Sequence, residues 1–332
     1  MHPGYFNLAD NLVGHTIGRW TVNSKISHKP SSGGTFSVGY EVTDAQGYKG
    51  FLKALDYSSA FGNPRQADML NHMTSAYIFE RDLLGQCSDK RLKYVVRIID
   101  YGQYTATPDQ LPTGVPFCLP VDYLVLEMAD NSVRSLIDLS KTFDYAWALR
   151  SLHNVAVGIE EMHGIQIAHQ DIKPSNVLLF DSQHVSKLGD VGRSSSLAMP
   201  AEHDKFATAG DRSYSPFEQL YGEIQPDWKI RRFSCDMFMF GTISKVHCNF
   251  AGNDLLRCNM ALCEDRMVPI DKNGDLTDIL KNPQRQLFVC NGSDNRVMCR
   301  INFEGKRSIL FAISHADRQI GLRQAIQFVC GA

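Results

Sequence analysis

The sequence predicts an α+β fold with two regions. From residue 19 to about residue 128, short segments rich in β-branched and aromatic residues alternate with turn residues, and one helical segment interrupts them. After residue 131 the apolar residues recur mostly at helical spacing. An antiparallel sheet with one helix, followed by a mostly helical region, is an arrangement in which a ligand cleft can form between two lobes. We therefore expect an N-terminal lobe, 1–129, and a C-terminal lobe, 130–332.

The N-terminal lobe is predicted to contain five strands and one helix. The strands are expected at residues 19–26, 36–42, 50–55, 94–99 and 123–128. The helix is expected over 66–86, because Met73, Tyr77, Glu80 and Leu84 recur at helical spacing. This spacing places the carboxylate of Glu80 among apolar neighbours. Residues 104–120 contain four prolines and are predicted to form an extended loop.

The C-terminal lobe is predicted to be mainly helical. Helices are expected over 146–162, 235–248 and 318–329, and short strands over 176–180 and 185–188. The pattern of residues 244–309 favours neither helix nor strand.

Composition and charge exclude several classes of protein. The 332 residues are 43% hydrophobic and 21% charged, values typical of a globular protein rather than a disordered one. A formal net charge of −2 offers no electrostatic surface for nucleic acid or an anionic membrane, and we expect neither partner. The basic cluster at 229–232, KIRR, is interpreted as a solvated face.

The cysteines and the apolar runs indicate the cellular compartment of the protein. Nine cysteines lie scattered without a C-x-x-C pair, which indicates reduced thiols and a cytoplasmic protein. The N-terminus lacks a signal-peptide pattern, and no apolar run approaches the length that spans a bilayer.

Residues 167–179 hold the densest group of reactive side chains and read IAHQDIKPSNVLL. On a loop leading into a strand, the Asp171 carboxylate can accept a proton from a hydroxyl group, while the amide oxygen of Asn176 reaches a metal ion. Lys173 supplies a positive charge that can stabilise a transferring phosphoryl group. A surface turn with a chance Asp, Lys and Asn is the alternative for one short match. The stretch resembles the catalytic loop of protein kinases, H-R-D-x-x-x-x-N.

Two further segments extend this resemblance. Residues 187–192, KLGDVG, are similar to the D-F-G element, with Val191 in place of phenylalanine, and the resemblance makes Asp190 a Mg²⁺ ligand. Residues 50–53, GFLK, match the V-A-I-K position, which implies that Lys53 contacts the ATP phosphates. Glu80 is the expected partner of Lys53. A β-turn and a solvated helix carboxylate are the alternatives for Asp190 and Glu80 taken singly.

The nucleotide-binding motifs depart most from the family. Residues 32–42, SGGTFSVGYEV, resemble the glycine-rich loop, in which Gly33 and Gly34 are expected to approach the phosphates. Gly39 replaces the usual valine, so the resemblance predicts weaker nucleotide binding. Residues 124–129, LVLEMA, resemble the inter-lobe hinge, where the Glu127 carbonyl and the Ala129 amide are expected to bind adenine.

The segment between Asp190 and Glu218 resembles the activation segment and closes with YSPFE at 214–218. By resemblance Glu218 pairs with Arg318, and Asp236 holds the backbone of the catalytic loop. Two departures matter. Gln170 replaces the arginine of H-R-D, which favours activation without loop phosphorylation, and Asp211 replaces a threonine beside Asp171 and Lys173. Candidate autophosphorylation sites are the hydroxyl residues Ser194, Ser195, Ser196, Thr208 and Ser213.

The resemblance covers roughly residues 19–329 and implies a divergent, eukaryotic-like (Hanks-type) serine/threonine protein kinase with bacterial or phage-like loops. It implies ATP and Mg²⁺ as cofactors and a protein hydroxyl as substrate, the chain itself included. A pseudokinase that only binds partners and a small-molecule kinase of the same fold are the alternatives. Lys173 and the segment close favour a protein substrate, and the presence of Lys53, Asp171 and Asp190 favours activity.

Overall fold

The computed structural model describes residues 6–26, 36–61, 63–115, 118–139, 145–222, 224–248, 289–291, 296–303 and 307–314. The chain forms two compact units. The first runs to Ser132 and also includes Leu178–Gln183 and Lys187–Gly192. The second contains Val133–Val177, His184–Ser186 and the residues from Arg193 onward.

The first unit is built on a six-stranded antiparallel sheet with the strand order β1-β2-β3-β4-β6-β5. Trp20, Tyr40 and Leu52 point to one face and are completely buried there. Along each of the strands that carry these three residues, buried residues alternate with more exposed ones over part of the length. A period of two residues is what a sheet with one packed face requires. The strands are β1 Thr16–Ile17, β2 Trp20–Lys25, β3 Ser37–Thr43, β4 Lys49–Leu55, β5 Ile98–Tyr104 and β6 Val121–Glu127.

One long helix, α1 (Gln66–Asp89), accompanies the sheet. Its buried residues include Met73, Glu80 and Leu84, so the predicted stripe is present and Glu80 belongs to it. Short 3-10 turns occur at Leu8–Asp10, Tyr57–Ala60 and Pro108–Gln110, the last inside the segment predicted as a loop.

The second unit is largely helical. Helices α3 and α5 pack against each other and supply most of its core, including Ile159, Met162 and Met239. Its helices are α2 Val133–Leu139, α3 Tyr145–Gly164, α4 Phe217–Leu220 and α5 Trp228–Cys248. The remaining strands among the described residues are β7 Asn131–Ser132, β8 Ile167–Ala168, β9 Val177–Phe180, β10 Val185–Leu188, β11 Ser195–Ser196, β12 Val289–Asn291, β13 Arg296–Phe303 and β14 Arg307–Ser314.

These elements confirm the predicted α+β class: an antiparallel sheet with one helix, then a helical unit. One strand prediction is wrong, because the strand expected at 94–99 lies at β5, Ile98–Tyr104. The ambiguous stretch 244–309 contains β12 and β13, whereas the helix predicted at 318–329 lies outside the described residues. Among the described helices, none combines the length and the apolar character needed to cross a bilayer.

Candidate active site

In the first unit, Lys53, Glu80 and Asp190 lie together as the sequence predicts. The Lys53 ammonium lies 2.8 Å from both carboxylate oxygens of Glu80 and 3.7 Å from Oδ1 of Asp190. Lys53 is on β4 between Leu52 and Ala54, which are fully buried, so alternation turns its side chain to the other face. The ion pair fixes the position of the ammonium group.

Burial and charge oppose each other in this cluster. Burial alone would lower the pKa of Lys53, but the carboxylates of Glu80 and Asp190 outweigh it and raise that pKa above its usual value. For Glu80, burial raises the pKa and the ammonium of Lys53 opposes the rise. The bidentate contact at 2.8 Å is the geometry of an ion pair, so we describe Lys53 as a cation and Glu80 as its carboxylate partner.

Asp190 begins the turn after β10 with a backbone φ of 55°, a left-handed conformation uncommon outside glycine. Its side chain is 40% exposed, which leaves the carboxylate accessible to a ligand. Val191, which occupies the phenylalanine position of the motif, is completely buried. A short apolar side chain therefore anchors this turn.

Glu127, a predicted hinge residue, makes side-chain contacts within the first unit that the sequence did not suggest. The Glu127 carboxylate accepts hydrogen bonds from Lys187 at 2.6 and 2.8 Å and from the Arg97 amide at 3.0 Å. Ala129 follows the end of β6 and is half-buried. The expected adenine contacts of Glu127 and Ala129 involve backbone groups and stay predictions. Gly33 and Gly34 lie outside the described residues.

In the second unit, Asp171, Lys173 and Asn176 form one buried cluster. Nδ2 of Asn176 donates to the Asp171 carbonyl at 2.8 Å and to its Oδ2 at 2.9 Å. The Lys173 ammonium lies 3.0 Å from the same Oδ2. The amide of Asp211 donates to Oδ1 of Asp171 at 2.8 Å. The carboxylate is therefore fixed in orientation by a cation and two amide donors.

Asp211, which replaces the threonine of the family, contacts this cluster in two ways. Its backbone amide binds Asp171, and its own carboxylate lies 3.6 Å from the Lys173 ammonium. The neighbouring Gly210 is packed so closely that a Cβ atom would overlap the Gln170 carbonyl and lie 2.8 Å from Oδ1 of Asp171. Only glycine fits there without displacing the loop that carries Asp171.

Asp236 of α5 holds the backbone of this loop, as predicted. Its carboxylate is fully buried and accepts hydrogen bonds from the amides of His169 and Gln170, both at 2.7 Å. Nε2 of His163 lies 2.9 Å from the same carboxylate. Asp236 lies inside α5 rather than at its start, so it does not act as a helix N-cap.

Two expectations about the second unit need correction. The sequence predicts a solvated face for the 229–232 cluster, but the side chain of Arg232 is completely buried. The sequence contains one indication of this burial: residues 232, 236, 239 and 243 recur at helical spacing, and Met239 and Ile243 are buried apolar residues.

The other correction concerns the segment between Asp190 and Glu218. Ser194, Ser195 and Ser196 are buried, two of them in strand β11, so they are not hydroxyls of an accessible loop. Thr208 is half-buried and Ser213 exposed. Glu218 is exposed in α4, and its expected partner Arg318 lies outside the described residues.

Each unit, taken by itself, offers an oxygen donor that suits a divalent cation. Asn176 uses its NH₂ group on Asp171, so its amide oxygen is turned toward other partners. Asp190 offers a partly exposed carboxylate. Amide and carboxylate oxygens are the ligands that Mg²⁺ prefers, with phosphate oxygens and water completing its shell.

Comparison with known proteins agrees with this geometry. A family model described as the protein kinase domain matches residues 60–265, more than half of the chain. The chain is 31% identical over 107 residues to serine/threonine-protein kinase SBK1 of Danio rerio, covering 32% of this chain and 26% of that protein.

Two other relatives give similar values. Cyclin-dependent kinase-like 2 of Homo sapiens is 34% identical over 125 residues, 35% of this chain and 24% of that protein. Serine/threonine-protein kinase greatwall of Danio rerio is 36% identical over 132 residues, 39% of this chain and 13% of that protein. The matches thus span about a quarter or less of each relative's length.

Proposed function

The chain belongs to the protein kinase domain family, and we propose that it transfers the γ-phosphoryl group of ATP to a serine or threonine hydroxyl of a protein. The observation that carries this proposal is the environment of Asp171, whose two carboxylate oxygens are held by the Asp211 amide on one side and by Asn176 and Lys173 on the other. A base held in one orientation suits proton acceptance from a hydroxyl group.

The proposed reaction forms one P–O bond, breaks another and moves one proton. The substrate oxygen attacks the γ-phosphorus, the bond from that phosphorus to the β–γ bridging oxygen breaks, and ADP leaves. The hydroxyl proton passes to Asp171. Lys173 stabilises the charge on the transferring group, and Lys53, fixed by Glu80, contacts the α- and β-phosphates.

We assign Asn176 and Asp190 to Mg²⁺ and the hydrogen bonds to adenine to the Glu127 carbonyl and Ala129 amide. Bound Mg²⁺ would neutralise phosphate charge. Gly33 and Gly34 remain the proposed phosphate loop. We place the reaction in the cytoplasm, because scattered cysteines without paired spacing are typical of a reducing compartment.

The test is transfer of radiolabel from ATP to a generic protein substrate and to the chain itself, followed by phosphoamino acid analysis. We expect label on serine or threonine, and Asp171→Asn should reduce the rate by about 100-fold or more, since general-base catalysis contributes about that much. Asp89→Asn, an exposed carboxylate at the end of α1, is the matched control.

Three results would contradict the proposal in different ways. ATP binding without transfer would indicate a pseudokinase. Transfer to small hydroxyl compounds but not to protein would indicate a small-molecule kinase. Equal rates for wild type and Asp171→Asn would remove Asp171 as the base.

A further inference from the structure

A buried arginine contacts the residue that precedes the proposed catalytic base. Arg232 of α5 is fully buried, and its Nη2 donates to Oδ1 of Asp204 at 2.9 Å and to the Asp204 carbonyl at 3.0 Å. Its Nη1 donates to Oε1 of Gln170 at 3.1 Å. Burial lowers the pKa of the guanidinium, as does the neighbouring Arg231, and Asp204 opposes the shift. A buried cation needs such a partner.

Gln170 links this arginine to the base, since it directly precedes Asp171. Its Nε2 donates to the Arg232 carbonyl at 2.8 Å and to Oδ1 of Asp236 at 2.9 Å. Both ends of its side-chain amide are therefore held by α5. Its backbone φ is 63°, a left-handed conformation that a non-glycine residue keeps only where its surroundings enforce it. The contacts from α5 supply that constraint.

Asp204 carries the link into the activation segment. Its Oδ1 accepts from Arg232 and from the Ser195 hydroxyl, and its Oδ2 accepts from the Ala201 amide at 2.9 Å. The Trp228 indole, at the start of α5, donates to the Ser195 hydroxyl at 3.1 Å. The segment is thus fastened to α5 through one carboxylate and one buried serine.

A second link joins the far end of the same stretch to the base. The Asp211 amide binds Asp171, and Gly210 packs against the Gln170 carbonyl. Residues 204–211 are therefore held at one end through Arg232 and Gln170 and at the other end directly on Asp171. A displacement of Asp204 would therefore shift Arg232 and, through it, Gln170, the residue that precedes Asp171.

We propose that Arg232 and Asp204 are positioning residues, which hold the activation segment and Asp171 in the geometry for transfer without a phosphate group on the segment. The inference rests on the proposed function. The Asp204 carboxylate is the acidic partner of a buried guanidinium, and buried Ser195 shares that carboxylate. A charge-assisted contact of this kind can order a segment as a phosphoryl group would.

The experiment compares Asp204→Asn with Asp204→Glu, with the double variant Asp204→Asn plus Arg232→Met, and with Asp10→Asn. The last variant breaks the exposed Asp10–Lys25 pair and is the matched control. The double variant leaves no unpaired buried cation, so it should fold even if Asp204→Asn does not. Each protein is treated with phosphatase and checked by intact mass. Turnover, the KM for ATP and hydrogen exchange of residues 168–173 are then measured.

We expect phosphatase-treated wild type to keep its full rate. Asp204→Asn and the double variant should lose about tenfold to hundredfold in kcat, as small displacements of a reacting group do, while the KM for ATP changes little. Exchange at residues 168–173 should accelerate in both, and Asp204→Glu should recover part of the kcat and of the protection. Asp10→Asn should match wild type.

Other results overturn the inference. Wild-type kcat in the double variant would remove the positioning role, and loss of wild-type activity on phosphatase treatment would show that the segment needs phosphate. If wild type transfers no phosphoryl group at all, the proposed function fails. Hydrogen exchange then decides separately, because unchanged protection of residues 168–173 in the double variant would refute the link to the base.

Discussion

Residues that share a motif were easier to predict than residues that only share a contact. Lys53 and Glu80, 27 positions apart, form the ion pair that the resemblance to protein kinases implied. Asp204 and Arg232, 28 positions apart, form another that the sequence did not reveal. Neither residue belongs to a recognised motif, and an arginine among basic neighbours resembles a solvated one. Charge alone cannot tell a buried partner from an exposed one.

At the residue scale, Gly210→Ala is expected to damage both stability and activity. The added Cβ would overlap the Gln170 carbonyl and crowd Asp171, and neither the backbone nor the hydrogen-bonded carboxylate can move freely. Overpacking of this kind costs about 1–3 kcal/mol in the free energy of unfolding. Turnover should fall by about 100-fold, because the base is displaced.

The matched control is Gly85→Ala, inside α1, where no atom lies within 4 Å of the added Cβ. There the substitution should raise the free energy of unfolding by about 0.5–1 kcal/mol, since alanine loses less backbone entropy in a helix. Urea unfolding and turnover measure both variants. A Gly210→Ala protein with wild-type turnover would contradict the packing that we describe.

At the element scale, apolar periodicity located eight elements to within three residues, namely β2, β3, β4, β6, β9, β10, α1 and α3. It placed the start of α5 seven residues late, at 235 instead of Trp228, and it misplaced β5. The run at 94–96 has high strand propensity, yet it pairs elsewhere: the Val96 amide donates to the Leu188 carbonyl, and the Leu188 amide to the Tyr94 carbonyl, both at 2.8 Å. The true edge strand, Ile98–Tyr104, carries Asp100 and Gln103 and is only partly buried. Strand propensity reports fit to a half-buried surface and cannot choose between two partners.

The activation segment offers a pH test at this scale. His203 is buried, and its Nε2 donates to the Ser194 carbonyl at 2.7 Å. Burial lowers the pKa of His203 below the usual 6.5, and Arg193 and Arg232 act in the same direction, whereas the Ser194 contact and Asp204 oppose it. As pH drops below 6.5, the unfolded chain binds a proton on His203 before the folded chain does. The free energy of unfolding therefore falls with falling pH until the folded chain binds this proton as well.

We therefore expect wild type to lose stability between about pH 7 and pH 5 by about 1.4 kcal/mol for each unit of pKa depression. His203→Gln keeps a donor for the Ser194 carbonyl but does not titrate, so its loss over the same range should be smaller. His184→Gln, at an exposed position, serves as the control. Denaturant unfolding at several pH values measures all three. Equal pH dependence in wild type and His203→Gln would show that His203 does not limit acid stability.

At the scale of the whole molecule, the sequence predicted the class and the order of the elements, because hydrophobic period and motif order extend along the entire chain. The boundary expected between residues 129 and 130 stays a prediction. Compactness depends on contacts that the linear pattern does not contain: Leu178–Gln183 and Lys187–Gly192 join the first unit although the residues around them belong to the second. Asp190 thereby lies beside Lys53, 137 positions earlier in the chain.

Nucleotide binding should appear as a stability change of the whole chain. A ligand that binds only the native state stabilises it by about 2.7 kcal/mol at 100 times its dissociation constant, so ATP with Mg²⁺ should raise the melting temperature. Lys53→Met should abolish most of this shift, because it removes the ammonium from the phosphates. EDTA should remove the Mg²⁺-dependent share of the rise in melting temperature from wild type. Asp190→Asn should remove the same share. Lys49→Met, on the same strand at a 63% exposed side chain, should behave as wild type. An equal shift in Lys53→Met and Lys49→Met would separate nucleotide binding from the Lys53–Glu80–Asp190 cluster and contradict the assignment of this cluster to ATP.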